Sequence, residues 1–360
     1  MMFKAPESID PGPRRGWPTL QRQALQPDRL GVLLALALAL LGRPLEAQTP
    51  RDDGRMSSRP LTVAPAAKLT VRHVLTNSVQ GLAWNLKDQQ LYLAVVDDEL
   101  DVSQVLRLGV TGPPALWLEH AQGLSGIVFG RRGHLLGAQI SGHRIVKHSV
   151  GKRGPRSLEV ILEEPTLNQP NDLCEAPNGD IYFTDPDFLR HARSAVYLMR
   201  PKGELLQLIT EMPLPNGLAL SLDATTLYVS DSHDRLWRSY PIMANGVTGP
   251  GSVFFNPPTE DRTPPNGMAL DADGNLYLTG RGGVWVVNSA GEPLGLIEIP
   301  GFCSAVAFGG PDGNILFVAS EQKLYCLEMR VQGGRWHRPA KTQPKRSASE
   351  QQPVATVPKS

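Results

Sequence analysis

The sequence predicts an all-β fold, a six-bladed β-propeller with four-stranded antiparallel blades around a central channel. Three observations support this. One phrase returns six times: a polar residue, a small residue, a short apolar run, a polar turn and a second apolar run. The copies read VQGLAWNLKDQQLYLA, LSGIVFGRRGHLLGA, PNDLCEAPNGDIYFT, PNGLALSLDATTLYVS, PNGMALDADGNLYLT and CSAVAFGGPDGNILFVA. Aligned on Gly81, Gly126, Asp172, Gly217, Gly267 and Ala305, they lie 45, 46, 45, 50 and 38 residues apart. A period in the low to mid forties with strand–turn–strand inside it means one blade per repeat. The turns between runs carry Asn178-Gly179, Asp273-Gly274 and Asp312-Gly313, pairs that supply the positive φ of tight hairpins. No long segment shows a 3.6-residue apolar period, so helix content should be very low.

Taken in order, the chain divides into four parts. Val32 to Leu41 (VLLALALALL) is an apolar run preceded by Arg29. It is too short for a stable bilayer span and matches a signal peptide spanning residues 1–47, with cleavage after Ala47. An uncleaved short anchor is the alternative, and Arg14-Arg15 lies too far from the run to make a strong twin-arginine signal. Residues 48–67, rich in Pro, Ser and charge, read as a linker. Residues 68–330 hold the propeller. Leu69 to Leu75 has strand character and should close the ring beside Lys323 to Met329. Residues 331–360 form a basic tail rich in Pro, Gln and Ser, read as disordered.

Within each repeat the first run, such as Leu218-Ala219-Leu220, is apolar without strict alternation. That suits a strand covered by neighbouring blades on both faces. The second runs carry Tyr and β-branched residues, as in Leu227-Tyr228-Val229.

The chain has 360 residues and a formal net charge of +1, which gives no electrostatic case for nucleic-acid binding. The leader implies export, to a periplasm or the exterior, with no stable membrane span after cleavage. A monomer is expected. Three cysteines, Cys174, Cys303 and Cys326, have no metal-binding spacing. Cys303 and Cys326 either pair in an oxidising compartment or stay as buried thiols.

The residue before each aligned position is Gln80, Ser125, Asn171, Asn216, Asn266 or Ser304. All six are polar and uncharged, where an apolar strand begins at the channel. They either cap strand ends around ordered water or aim carbonyl oxygens at a shared ligand or cation. The second runs end in a further set that includes Gln139, Asp185 and Asp231. Asp185 and Asp231 are the best carboxylates near the channel and stand as candidate catalytic or metal groups. Each also fits a turn-forming role. No Ser/His/Asp signature, phosphate loop or zinc cluster is present.

The phrases NQPNDLCEAPNGDIYFTDPDF (168–188), LPNGLALSLDATTLYVSDS (214–232) and PPNGMALDADGNLYLTGRGGVWVVNSAGEPLGLIEIP (264–300) resemble the gluconolactonase and senescence-marker-protein (regucalcin) family. The resemblance covers 75–328 and is most specific over 168–320. It implies one Ca²⁺ or similar divalent ion in the channel and hydrolysis of sugar lactones or related esters. It places Asn171 and Asn216 at metal or substrate. The family's Glu in blade one is Gln80 here, its Asp in blade five is Asn266, and a blade-two Glu of one branch corresponds to Gln139. The implied metal ligands are thus Gln80, Asn171, Asn216 and Asn266, with substrate at Asn171, Asn266 and Gln139. Each replacement keeps a carbonyl oxygen and removes a negative charge, which weakens a cation site and leaves Asn266 unable to act as a general base. Two functions follow: an exported lactonase, with Asp185 or Asp231 assisting and activity weak or lost, or a non-catalytic propeller binding a neutral, sugar-like ligand or serving as a scaffold.

Overall fold

The computed structural model describes residues 59–97 and 102–334 as six four-stranded antiparallel sheets. No helix occurs among the described residues, as the missing 3.6 period requires. Blade one is β2 (Ser78–Asn85), β3 (Gln90–Asp97), β4 (Val102–Leu108) and β5 (Ala115–Leu118). Blade two is β6 (Leu124–Phe129), β7 (Leu135–Gln139), β8 (Arg144–Val150) and β9 (Pro155–Glu163). Blade three is β10 (Leu173–Glu175), β11 (Ile181–Asp185), β12 (Ala195–Met199) and β13 (Leu205–Ile209). Blade four is β14 (Pro215–Leu220), β15 (Thr226–Asp231), β16 (Leu236–Pro241) and β17 (Ser252–Phe255). Blade five is β18 (Met268–Leu270), β19 (Leu276–Gly280), β20 (Gly283–Val287) and β21 (Pro293–Glu298). Blade six joins β22 (Cys303–Gly309), β23 (Ile315–Ser320) and β24 (Lys323–Glu328) to β1 (Thr70–Val74).

The ring closes as expected. β1 pairs antiparallel with β24, from Thr70 opposite Cys326 to Val74 opposite Lys323. Chain ends held in one sheet leave no open edge at the seam. The closure extends further than composition suggested. Val63 bridges Met329 and is buried, Ala64 N–H donates to Glu328 O at 3.2 Å, and Arg330 N–H to Thr62 O at 2.7 Å. The end of the Pro- and Ser-rich stretch therefore packs along blade six. The leader and all but the first residues of the basic tail lie outside the described residues. No described helix is long and apolar enough to cross a membrane.

The core lies between blades. One cluster joins Tyr182, Val196 and Leu198 of blade three to Leu218, Leu220 and Val229 of blade four. Another joins Leu82, Trp84 and Leu93 of blade one to Ala305, Ala307 and Phe317 of blade six. Three tyrosines of the second strands are fully buried, with their hydroxyls satisfied. Tyr92 donates to Asp88 (2.7 Å), Tyr182 to Gly246 O (2.7 Å) and Tyr277 to Asp271 (3.1 Å). All three cysteines are free thiols, and burial pushes Cys303 up to about 12.

Several buried side chains lack such satisfaction, His148 among them. His148 on β8 is 2% exposed, meets the Trp117 ring edge-on at 6.0 Å, and has a hydrogen-bond partner at neither ring nitrogen. Burial lowers its pKa from 6.5 to about 4. The unfolded chain takes up this proton as pH falls below about 6.5 while the fold resists it. Its contribution is thus complete above that pH and is lost toward pH 4. We expect His148→Leu to lower the midpoint of acid unfolding, followed by circular dichroism between pH 7 and 3. The wild-type loss from this group is of order 3 kcal/mol. An unchanged midpoint would show that His148 protonates freely in the fold.

Candidate active site in the central channel

The innermost strands converge on a cavity of about 290 Å³ along the propeller axis. Gln80, Asn171, Asp172, Asn266 and Ser304 line it where those strands begin. Leu82, Trp84, Leu218, Leu220, Val306 and Phe308 contribute apolar wall, and Asp312 and Gln332 also line it.

The polar ring is built by interruptions of the ladders. In blades one, two, four and six the register shifts at the ring residue, between Val79 and Gly81, Leu124 and Ile127, Pro215 and Leu218, and Cys303 and Ala305. A bulge frees the extra residue from pairing and re-aims its side chain. In blades three and five the ring residue precedes β10 and β18 outright.

The backbone beside the ring also ties blade to blade. Gly126 N–H donates to Asn171 O (2.6 Å), Thr184 Oγ1 to Asn216 O (2.6 Å), Gly267 N–H to Ser304 O (3.1 Å) and Ser304 Oγ to Val79 O (2.5 Å). A Cβ on Gly126 would lie 2.6 Å from Asn171 O and 2.4 Å from Asp172 Oδ1. This close approach explains the small residue that follows the polar one in the repeat.

The expected site residues divide into two groups. Gln80, Asn171 and Asn266 line the cavity, and no side-chain hydrogen bond ties any of the three to another described residue. Asn216 is 8% exposed, and its Oδ1 is buried without a partner. A buried orphan acceptor calls for a donor from outside the chain. Neither Asn216 nor the remaining three line the cavity. Gln139 is buried, donating to Ala121 O (2.8 Å) and accepting from Arg144 Nε (2.5 Å). Asp185 is fully buried, and its two oxygens accept from Asn168 N–H (2.9 Å), Asn168 Nδ2 (3.0 Å) and Gln169 N–H (2.7 Å). Burial nevertheless pushes it up to about 6. Asp231 accepts from Asp234 N–H (3.1 Å) and Arg238 Nε (3.0 Å); burial raises it above its ordinary value.

Beside the ring amides, the carboxylate that lines the cavity is Asp172; Asp312 lies farther along it, in the turn between β22 and β23. Asp172 occupies the position that is Gly or Ala in the other five repeats, so the alignment passed over it as a spacer. Its Oδ1 accepts from Leu173 N–H (2.9 Å) and its Oδ2 from Leu218 N–H on blade four (3.1 Å). Half-buried and lining the cavity, it is pushed by burial up to about 6, against those two hydrogen bonds.

The ring offers a cation almost only neutral oxygens. Among the described residues no group of three or more His, Cys, Asp or Glu is arranged to hold a metal ion. Hard divalent ions gain affinity with the number of charged ligands. The ring's amides supply no charge, and Asp172 already accepts a backbone N–H at each oxygen. This donor set does not fit a tightly held divalent ion. It fits a ligand rich in hydroxyls, which donates to amide oxygens and accepts from amide N–H groups.

A closed six-bladed propeller with polar groups gathered at one end of its channel defines the class of protein. Comparison with known proteins then places it more closely. The profile described as SMP-30/Gluconolactonase/LRE-like region matches residues 79–322, and the chain belongs to that family. A gluconolactonase of Zymomonas mobilis is 32% identical over 187 residues, covering 46% of this chain and 52% of that protein. A lactonase drp35 of Staphylococcus saprophyticus is 30% identical over 151 residues, covering 40% of this chain and 43% of that protein. The chain thus spans about half the length of the curated relatives it matches. The solved structure of a gluconolactonase from Xanthomonas campestris has a TM-score of 0.66 at 24% identity, covering 80% of this chain and 99% of that one. At that identity the likeness speaks to the fold.

Proposed function

We propose that the protein hydrolyses a sugar lactone or a related cyclic ester in the channel mouth. The observation that carries this reading is the Asp172 carboxylate in the channel wall beside the amides of Gln80, Asn171 and Asn266. The amides of Gln80, Asn171 and Asn266 would bind sugar hydroxyls. Their N–H groups would stabilise charge developing on the lactone carbonyl oxygen. Asp172, ionised above about pH 6, takes a proton from the attacking water as the new C–O bond forms. Cleavage of the ring C–O bond releases an alkoxide that recovers the proton, which gives an open hydroxy acid. Matches to lactonases support the reaction class. The leader supports export, and N-terminal sequencing of the mature protein should begin at Gln48 if it is cleaved there.

The direct experiment is proton release from D-glucono-δ-lactone, with added Ca²⁺ and with chelator. We expect a rate above buffer that the chelator does not abolish. A rate equal to buffer under every metal condition would sink the enzyme reading. Binding of a neutral sugar without turnover would then favour the second reading, a ligand-binding propeller, which the uncharged ring also suits.

The missing acids have their own test. Gln80→Glu with Asn266→Asp adds two negative charges where the resemblance expects them. We expect tighter Ca²⁺ binding by calorimetry and a melting temperature that rises with added Ca²⁺, neither seen in the wild type. No change in either would show that these amides do not face a cation position.

A further inference from the structure

Three arginines lie in a loop and two turns at blades four and five, outside the lining of the cavity itself. Arg235 lies in the β15–β16 turn, Arg262 in the loop before β18, and Arg281 in the β19–β20 turn. In this architecture those turns and that loop sit at the same end as the polar ring. The loop of residues 256–267 leads directly into Asn266, whose N–H donates to Thr279 O at 3.1 Å, two residues before Arg281.

The arginines are joined through this loop. Arg235 Nε donates to Arg262 O (3.1 Å), and Arg281 Nη2 to Thr259 O (2.6 Å). Arg281 N–H donates to Thr263 O (3.2 Å), and Ser232 Oγ fixes Pro265 O (2.6 Å). Two acids share the loop. Asp261 Oδ1 is occupied by Thr263 N–H (2.8 Å) and Thr263 Oγ1 (2.5 Å), and Glu260 is exposed.

None of the three arginines has an ion pair with a described carboxylate. Their neighbour Arg238 is held by Asp231 at 3.0 Å, and Arg200 on blade three by Asp180 at 2.5 Å. Arg281 also keeps its Nε buried and without a hydrogen-bond partner. A guanidinium with no ion pair, beside two further arginines as well as Asp261 and Glu260, has donor capacity left for an anion from outside the chain. Burial lowers the Arg281 pKa; Asp261 and Glu260 oppose the shift, and Arg235 and Arg262 add to it. A bound anion would relieve that repulsion.

We propose that Arg235, Arg262 and Arg281 form an anion-binding subsite at the channel mouth, which makes the preferred substrate an acidic sugar lactone carrying a carboxylate or phosphate group. The sugar ring would sit at the amide ring and its acidic group on the arginines. The substrate assignment rests on the lactonase reading; the anion subsite does not.

The test is calorimetric titration of the full chain with glucose, glucuronate and glucose-6-phosphate, at low and high ionic strength. These probes are not lactones, so they report the anion subsite whether or not the protein hydrolyses anything. Turnover of D-glucono-δ-lactone tests the lactonase reading separately. We expect at least one acidic probe to bind about tenfold or more tighter than glucose, with the advantage shrinking in salt. The stronger of the two identifies the acidic group. Arg262→Gln and Arg235→Gln should bring the acidic probe down to the level of glucose. Arg262 is exposed, so the fold should survive its loss, and an unchanged melting temperature would verify this. Equal binding of all three probes, or an advantage that persists in both variants, would overturn the proposal.

Discussion

Asp172→Asn is expected to lower kcat for lactone hydrolysis by about 10²–10⁴-fold, the usual worth of a positioned general base, with KM nearly unchanged. The substitution keeps the size of the side chain and one acceptor while removing the proton-accepting group. A structural role alone would give a different result. Losing one acceptor for Leu218 N–H or Leu173 N–H costs about 1 kcal/mol, while removing a buried charge with a pKa near 6 relieves about 3 kcal/mol at pH 7.5. The variant should therefore melt no lower than the wild type at that pH. Below pH 4 the advantage disappears, because Asp172 is then protonated in both folded and unfolded chains. Between about pH 4 and 6 the folded wild type holds this proton more tightly than the unfolded chain, so its contribution falls as pH rises. Wild-type kcat/KM should rise through about pH 6 to a plateau, and the variant should lack that rise. A variant that loses activity only in step with its melting temperature would return Asp172 to the role of a blade tie.

Asp172 also marks where the sequence stops being legible. Repeat spacing was enough to place all six blades, the β1–β24 closure and the six polar residues at the strand starts. Those features follow from periodicity and from alternation along a strand. Asp172 was hidden by the same alignment, which put it in register with Gly81, Gly126 and Gly217. In one dimension it reads as a spacer; only the ring of blades shows that this spacer faces the channel. Asp185 and Asp231 illustrate the converse. Strand ends bring both near the mouth, but their oxygens are taken up by the 168–169 backbone and by Arg238. Those partners depend on loop conformations that no periodic pattern encodes. The three arginines come from a loop and two turns separated in sequence, and residues 62–64 look like a linker by composition yet pair with blade six.

The same ring predicts a strongly damaging small substitution, Gly217→Ala. A Cβ on Gly217 would lie 2.2 Å from Asn266 O, 2.8 Å from Asn266 C and 2.9 Å from Gly267 Cα. All three atoms are backbone, so no rotamer change can make room. Blade five must move away from blade four, or the strand start of blade four must shift. Overpacking of this kind costs about 1–3 kcal/mol, and the absence of any side chain that could yield places this case at the upper end. For a fold of this size that is a melting-temperature drop of roughly 6–12 °C. The displaced atoms belong to Asn266 and to the residue beside Asn216, so the amide ring opens with the blades. Sugar binding should therefore weaken along with stability. Gly267→Ala is the internal comparison: its Cβ would meet Ser304 O at 3.0 Å, a contact that a few tenths of an ångström relieve. A melting temperature for Gly217→Ala no lower than that for Gly267→Ala would show that the blades are not in contact at this ring.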